Sequence, residues 1–280
     1  MFVICIRTLT HEFRVLTDCR QAARTLAYFE TKPQISIPPP AVAELHVERA
    51  HGFYRLSLPT GGMIEGTALH LLDALHRFIF ALLEEEAPGA PLIHAGSIRL
   101  AGAPMLLIGA KSSGKTTLAL ELLANGHGVE GDEHVVVREL DLIARPRTLR
   151  VKASSLTLVP RLADRIRHTP SILDWKSCPI YAVSPAIAGK EWRISPMRPK
   201  HIIFLEANHG GHTVAKPITT EVAFSRLLSR CLLPETARSG AVARLRRVAR
   251  EAQAWEMSLG DLVGAERHLL AIARQDNTLQ

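Results

Sequence analysis

The run "GAKSSGKTT", Gly109 to Thr117, constrains this chain more than any other stretch, because of what flanks it. An apolar segment, "MLLIG", leads directly into it, and "TTLALELLA" follows with the composition of a helix. Asn125-Gly126 then supplies a helix C-cap. The spacing G-x-x-x-x-G-K-[ST] is filled by Gly109, Gly114, Lys115 and Thr116. Small residues let the backbone of Gly109, Ala110, Lys111, Ser112, Ser113 and Gly114 wrap round phosphate oxygens. Successive N–H groups then point inward, and the N-terminus of the following helix, through Thr116 and Thr117, adds positive potential. Lys115 is placed to reach the β- and γ-phosphates, and the Thr116 hydroxyl to bind Mg²⁺. A chance glycine turn does not come with a strand before it and a helix after it. The expected product is an α/β nucleotide-binding core.

The strand expected after that helix, "HGVEGDEHVVV", carries the pair Asp132-Glu133. Two carboxylates can divide the labour: one holds Mg²⁺, the other accepts a proton from an attacking hydroxyl. Adjacent residues on a strand face opposite ways, so both serve one site only where the strand ends or bends. Gly131 permits such a bend. A solvated acidic turn is the plainer alternative. Upstream, His94 in "LIHAGS" can orient a carboxylate, although a lone histidine is more often a packed or surface residue. Anionic transition states need positive charge beyond one lysine. Arg147, Lys152 and Arg198 are candidates for phosphate or substrate contacts, with ordinary surface charge as the alternative.

Residues 1–88 read as a small α+β part. Strands are expected in "FVICIRTL", "FRVLT", "AVAELHVERA" and "GFYRLSLP", and helices in "CRQAARTLAYF" and "GTALHLLDALHRFIFALLEEE". "KPQISIPPP" reads as an extended connection. "APGAP" marks a soft boundary, so residues 89–280 form the expected catalytic domain. Within it, "LIHAGSIRLAGAPMLLIG" reads as two strands about a turn, "LIARPRTLRVKA" as strand and "LTLVPRLADRI" as a short helix. Residues 168–195 read as a long irregular loop. "HIIFLEA" reads as a buried strand and "WEMSL" as a short one, with helices at the C-terminal end.

Composition narrows the function. Of 280 residues 47% are hydrophobic and 22% charged, an ordinary globular balance. The formal charge of +7 raises nucleic acid or an anionic surface as a partner, and part of it lies in "ARLRRVAR". That stretch reads as a solvated helix face. With 5% aromatic residues and no recognition motif, nucleic acid is not the expected partner. Cys5, Cys19, Cys178 and Cys231 are scattered, which fits a reducing cytoplasm and neither disulfides nor zinc. No apolar run reaches membrane-spanning length. His209 and His212 in "NHGGH" have no third metal ligand nearby and read as a glycine turn. An LSGGQ signature, an N-K-x-D motif and a G-x-S-x-G elbow are all lacking.

The stretch from Leu92 to Val137 resembles the core of the HPr kinase/phosphorylase family and its relatives, which share a fold relationship with phosphoenolpyruvate carboxykinases. The resemblance is carried by His94-Ala95, the hairpin into Gly109–Thr116, Gly126-His127 and Asp132-Glu133. It implies a mixed-sheet P-loop kinase core using ATP and Mg²⁺. It also implies that Lys115 and the loop hold phosphates, and that Thr116 and Glu133 hold Mg²⁺. Asp132 becomes the base and His94 its support. Members usually carry two aspartates, whereas the second here is Glu133. The family implies transfer of the γ-phosphate to a serine hydroxyl of a peptide or protein, and its relatives extend to lasso-peptide precursor kinases. HPr kinases form hexamers, so a homo-oligomer is a further expectation. A small-molecule kinase for an amino acid or sugar, and a non-catalytic nucleotide sensor, stand as alternatives.

Overall fold

The computed structural model describes residues 1–37, 41–58, 61–235 and 237–275, and of residues 83–85 the backbone alone. The prolines at 38–40 that end the expected extended connection, Pro59, and the side chains of Glu84 and Glu85 lie outside that description. Among the described residues seven α-helices accompany five sheets of two to six strands, a mixed α/β architecture. No described helix is long and apolar enough to cross a membrane.

The first sheet is built from Phe2–Arg7, His11–Thr17, Ala41–Ala50, Phe53–Ser57 and Met63–Gly66, in that order. Period-two patterning sends Ile4, Ile6, Phe13, Val15, Leu45, Val47 and Leu56 to one face. The helix Ala68–Glu86 lays Leu71, Leu75 and Leu82 on that face, and its Phe78 ring meets Phe13 edge-on at 5.2 Å. These residues share one core.

The central sheet runs Gly128–Gly131, Ala95–Leu100, Ala103–Gly109, His201–Ala207, Gln253–Leu259, Val214–Ile218. Its three middle strands are parallel and its edge pairings antiparallel. The run "MLLI" is apolar at every position because helices cover both faces. Met105 and Leu107 pack toward the helices Lys115–Ala124 and Leu262–Gln275, while Leu106 and Ile108 pack toward Thr220–Ser229 and Arg238–Glu251. The Ala101-Gly102 turn, both with positive φ, closes the expected hairpin.

Three expectations need correction. Residues 168–195 are not a structureless loop. Pro179–Val183 pairs with Leu149–Lys152 on one side and Ser171–Leu173 on the other, and Arg193–Ile194 pairs in parallel with Gln34–Ile35. The prolines that disguise this sit where prolines are tolerated: Pro179 opens a strand, and Pro185 opens a turn that Ser184 caps. "HGVEGDEHVVV" is two strands in different sheets, Gly128–Gly131 and Val135–Val137, and "LIARPRTLRVKA" likewise divides at Pro146. "WEMSL" belongs to the seven-residue strand Gln253–Leu259, paired along its whole length with His201–Ala207.

Candidate active site

The loop from Gly109 to Thr116 lies at the carboxyl end of Ala103–Gly109, beside the carboxyl ends of the two parallel strands next to it. This is where open α/β sheets place ligands. Its path requires two residues of positive φ, Ser112 at 67° and Gly114 at 94°. A Cβ on Gly114 would also stand 2.5 Å from Leu259 Cδ2, so only glycine fits there. At Gly109 a Cβ would meet Ser113 Oγ and, at 2.9 Å, the Leu205 carbonyl oxygen. Lys115 is 7% exposed and folds back on the loop, donating from Nζ to the carbonyl oxygens of Gly109 at 2.7 Å and Ala110 at 3.2 Å. Burial lowers its pKa, opposed by Asp132 and Glu133. The Ser113 hydroxyl is buried without a hydrogen-bond partner.

The chain bends at the acidic pair. The register between Gly128–Gly131 and Ala95–Leu100 slips between Val129 and Gly131, a bulge held from three sides by Glu130. The Glu130 carboxylate accepts from Ser97 Oγ at 2.9 Å and Arg99 Nε at 2.9 Å, and Trp192 Nε1 donates to its carbonyl oxygen at 2.8 Å. Asp132 and Glu133 follow in a bend outside any strand, and both border one cavity of about 1090 Å³ with Lys115 and Thr116.

Their surroundings differ. Asp132 is 5% exposed and accepts a hydrogen bond from Thr116 Oγ1 at 2.6 Å. Burial lifts its pKa to about 6, against the pull of that bond. Glu133 is ion-paired with Arg147 at 2.8 Å. Burial pushes its carboxyl up, but Arg147, His134 and His94 outweigh this and hold it below the usual range. The Thr116 hydroxyl therefore meets Asp132, not Glu133.

His94 borders the cavity, its backbone N–H bonded to the Arg230 carbonyl oxygen at 3.0 Å. Its ring faces His134 with centroids 6.0 Å apart, and the carboxylate acting on it is Glu133. Burial and then Lys115 lower its pKa. No hydrogen bond joins it to Asp132. Lys111, Ser112 and Thr117 border the cavity, as does Lys152, whereas Arg147 reaches it through Glu133. Arg198 does not border it: its Nε donates to the Leu140 carbonyl oxygen at 3.1 Å, because the Met197–Leu142 bridge ties that segment to a different part of the core.

The structure also brings in residues that sequence reasoning passed over. Arg150 borders the cavity, stacks its guanidinium 3.6 Å from the Tyr28 ring centroid and donates to the Tyr28 carbonyl oxygen at 2.7 Å. Arg161, paired with Glu121 at 2.6 Å, lies along the same wall. At the far end, His209-Gly210 and Leu259–Val263 follow the two neighbouring parallel strands. Of these, Arg150 lies between the candidates Arg147 and Lys152 in the chain, and His209 beside glycines.

Among the described residues no three His, Cys, Asp or Glu side chains cluster as a metal site. The donor set is one hydroxyl and two carboxylates, all hard oxygens. That suits Mg²⁺, which takes one or two protein oxygens and fills its shell with phosphate and water.

Neither a protein-family model nor a curated protein matches this sequence. Among solved structures the chain is similar in fold, distantly, to the Hpr(Ser) kinase/phosphatase from Coxiella burnetii. The match has 12% identity and a TM-score of 0.32, over 67% of this chain and 95% of that one.

Proposed function

We propose that the protein is an ATP-dependent, Mg²⁺-requiring kinase that transfers the γ-phosphate to a serine hydroxyl of a peptide or protein. One observation carries this reading. Thr116 Oγ1 and the buried Asp132 carboxylate stand 2.6 Å apart beside Lys115, in a cavity with room for a nucleotide triphosphate.

Backbone N–H groups of residues 110–116 and the N-terminus of Lys115–Ala124 supply fixed positive potential for the phosphates. Lys115 adds charge at the β- and γ-positions. Mg²⁺, held by Thr116 and the acidic pair, would neutralise charge on the β- and γ-phosphate oxygens. The acceptor oxygen attacks the γ-phosphorus, the bond to the bridging oxygen breaks, ADP leaves, and the hydroxyl proton passes to Asp132. Asp132 suits the task because burial sets its pKa close to the working pH. Glu133, held by Arg147 behind it, serves as a further metal oxygen. His94 acts through Glu133.

The test is incubation with Mg²⁺ and γ-labelled ATP, alone and with serine peptides encoded beside the gene, lasso-type precursors included. Label on a peptide serine, lost in Asp132→Asn, is the expected result. Tight nucleotide binding without turnover on any peptide would replace this reading with a nucleotide sensor.

A further inference from the structure

A second cavity, of about 350 Å³, lies between the first sheet with its helix Ala68–Glu86 and the chain around Arg145–Arg150. Four guanidiniums line it, those of Arg7, Arg145, Arg147 and Arg150, against one carboxylate, Asp73, which is already paired with Arg77. Two of the four have their own anions: Arg145 faces the buried Glu86 at 3.6 Å, and Arg147 holds Glu133. Neither Arg7 nor Arg150 is ion-paired with a carboxylate among the described residues, although Glu12 acts on Arg7 from the neighbouring strand and Asp132 and Glu133 act on Arg150, and the Nε atom of each is buried without a hydrogen-bond acceptor. Withdrawing a cation from water without an anion is costly, and burial lowers the pKa of both side chains. The two lining histidines do not reverse the balance, since burial and the arginines hold His76 and His134 below their usual pKa. The remaining wall is apolar and aromatic, with Phe29, Ile79 and Phe80. Arg150 borders this cavity and the phosphate-loop cavity alike.

Resting on the kinase reading, we propose that this cavity anchors the acceptor by an oxyanion, carboxylate or phosphate, carried on an apolar stem. Arg7 and Arg150 provide the charge and forked N–H donors that such a group takes bidentately. The aromatic wall takes the stem. Arg150 then sets the anchored end of the acceptor next to the site of transfer.

The test uses the full chain and three probes: 3-phenylpropanoate, phenyl phosphate and the neutral 3-phenylpropanamide. Each is titrated calorimetrically into the unsubstituted protein, Arg7→Gln and Arg7→Lys, with the Kd for Mg²⁺-ADP measured on every sample. At least one oxyanion should bind about tenfold more tightly than the amide. Arg7→Gln should remove about that factor, since a hydrogen bond to a charged group is worth roughly a tenfold change in affinity. Arg7→Lys should recover part of it, which separates loss of the cation from loss of the fold. The preferred oxyanion tells whether the acceptor carries a carboxylate or a phosphate. Equal binding of all three probes, or no effect of Arg7→Gln, overturns the anchoring site while leaving the kinase reading intact if Mg²⁺-ADP binds. Oxyanion binding without nucleotide binding overturns the kinase reading and leaves an anion site.

Discussion

The two cavities meet at Arg150 and are made in opposite ways. The larger cavity takes its most distinctive wall from one unbroken stretch, Ala110 to Thr117, whose backbone is fixed by Gly114 and by the strand and helix on either side. The seam cavity is assembled from residues far apart in the chain: Arg7 on the first sheet, Tyr28 in a 3₁₀ turn, the helix Ala68–Glu86, and the stretch Arg145–Arg150 that runs into another sheet. In the first, the Asp132 carboxylate borders the cavity bonded to a hydroxyl rather than ion-paired. In the second, the carboxylates within reach are already taken up by arginines, and two cations are left over. A site for chemistry needs the reacting groups held by backbone, whereas a site for recognition can be composed of side chains alone.

The sharpest way to break this contrast is Asp132→Asn. Phosphoryl transfer should fall by about 10³-fold or more, the scale of losing a general base, measured as single-turnover label transfer. Loss under tenfold would move the base elsewhere. Lys115→Met should cost about 10²- to 10³-fold in the same assay through lost charge stabilisation, with weaker Mg²⁺-ADP binding.

Asp132→Asn also has a stability signature. The folded carboxyl titrates near 6 against 3.8 for the free group. Between those values the folded chain keeps a proton that the unfolded chain has released. Metal-free stability from this group is therefore present below pH ~4, falls as pH rises to about 6, and stays reduced above. The asparagine variant escapes this cost, so urea unfolding at pH 7 without metal should show a gain of about 2 kcal/mol that vanishes near pH 4. A loss at pH 7 would mean the carboxylate is stabilised by a contact that burial does not reveal. The smallest effect belongs to the seam. Tyr28→Leu removes the ring beneath Arg150 and should cost about 1 kcal/mol of stability, leaving Mg²⁺-ADP affinity unchanged.

Legibility in the sequence followed the same division. The strand, tight loop and helix around Gly109 to Thr117 could be read because their signals fall within a short continuous stretch. The bend at Asp132 was anticipated from Gly131, since a pair of carboxylates on a straight strand could not share a site. What held the bend was not anticipated. Glu130 looked like any strand residue until Ser97, Arg99 and Trp192 were seen to converge on it. Arg150 could not be distinguished from Arg147 or Arg145, because its position depends on Tyr28, more than a hundred residues earlier in the chain. Arg198 was a misreading of the same kind. Its neighbours in the chain said nothing of the Met197–Leu142 bridge that turns it away. His94, expected to support Asp132, borders the cavity, but the carboxylate acting on it is the second acidic residue and not the first.

The short parallel pairing of Gln34–Ile35 with Arg193–Ile194 has a consequence for modularity. Leu9, Ile35 and Ile37 from the early chain close over Trp192, Ile194, Ile143 and Val136 from the later chain in one shared apolar cluster. A chain begun at residue 89 would uncover that cluster and leave Arg150 without the Tyr28 ring, so the later part of the chain is not a cassette that can be lifted out. Expressed as separate polypeptides, residues 1–88 and 89–280 should reassociate through this seam.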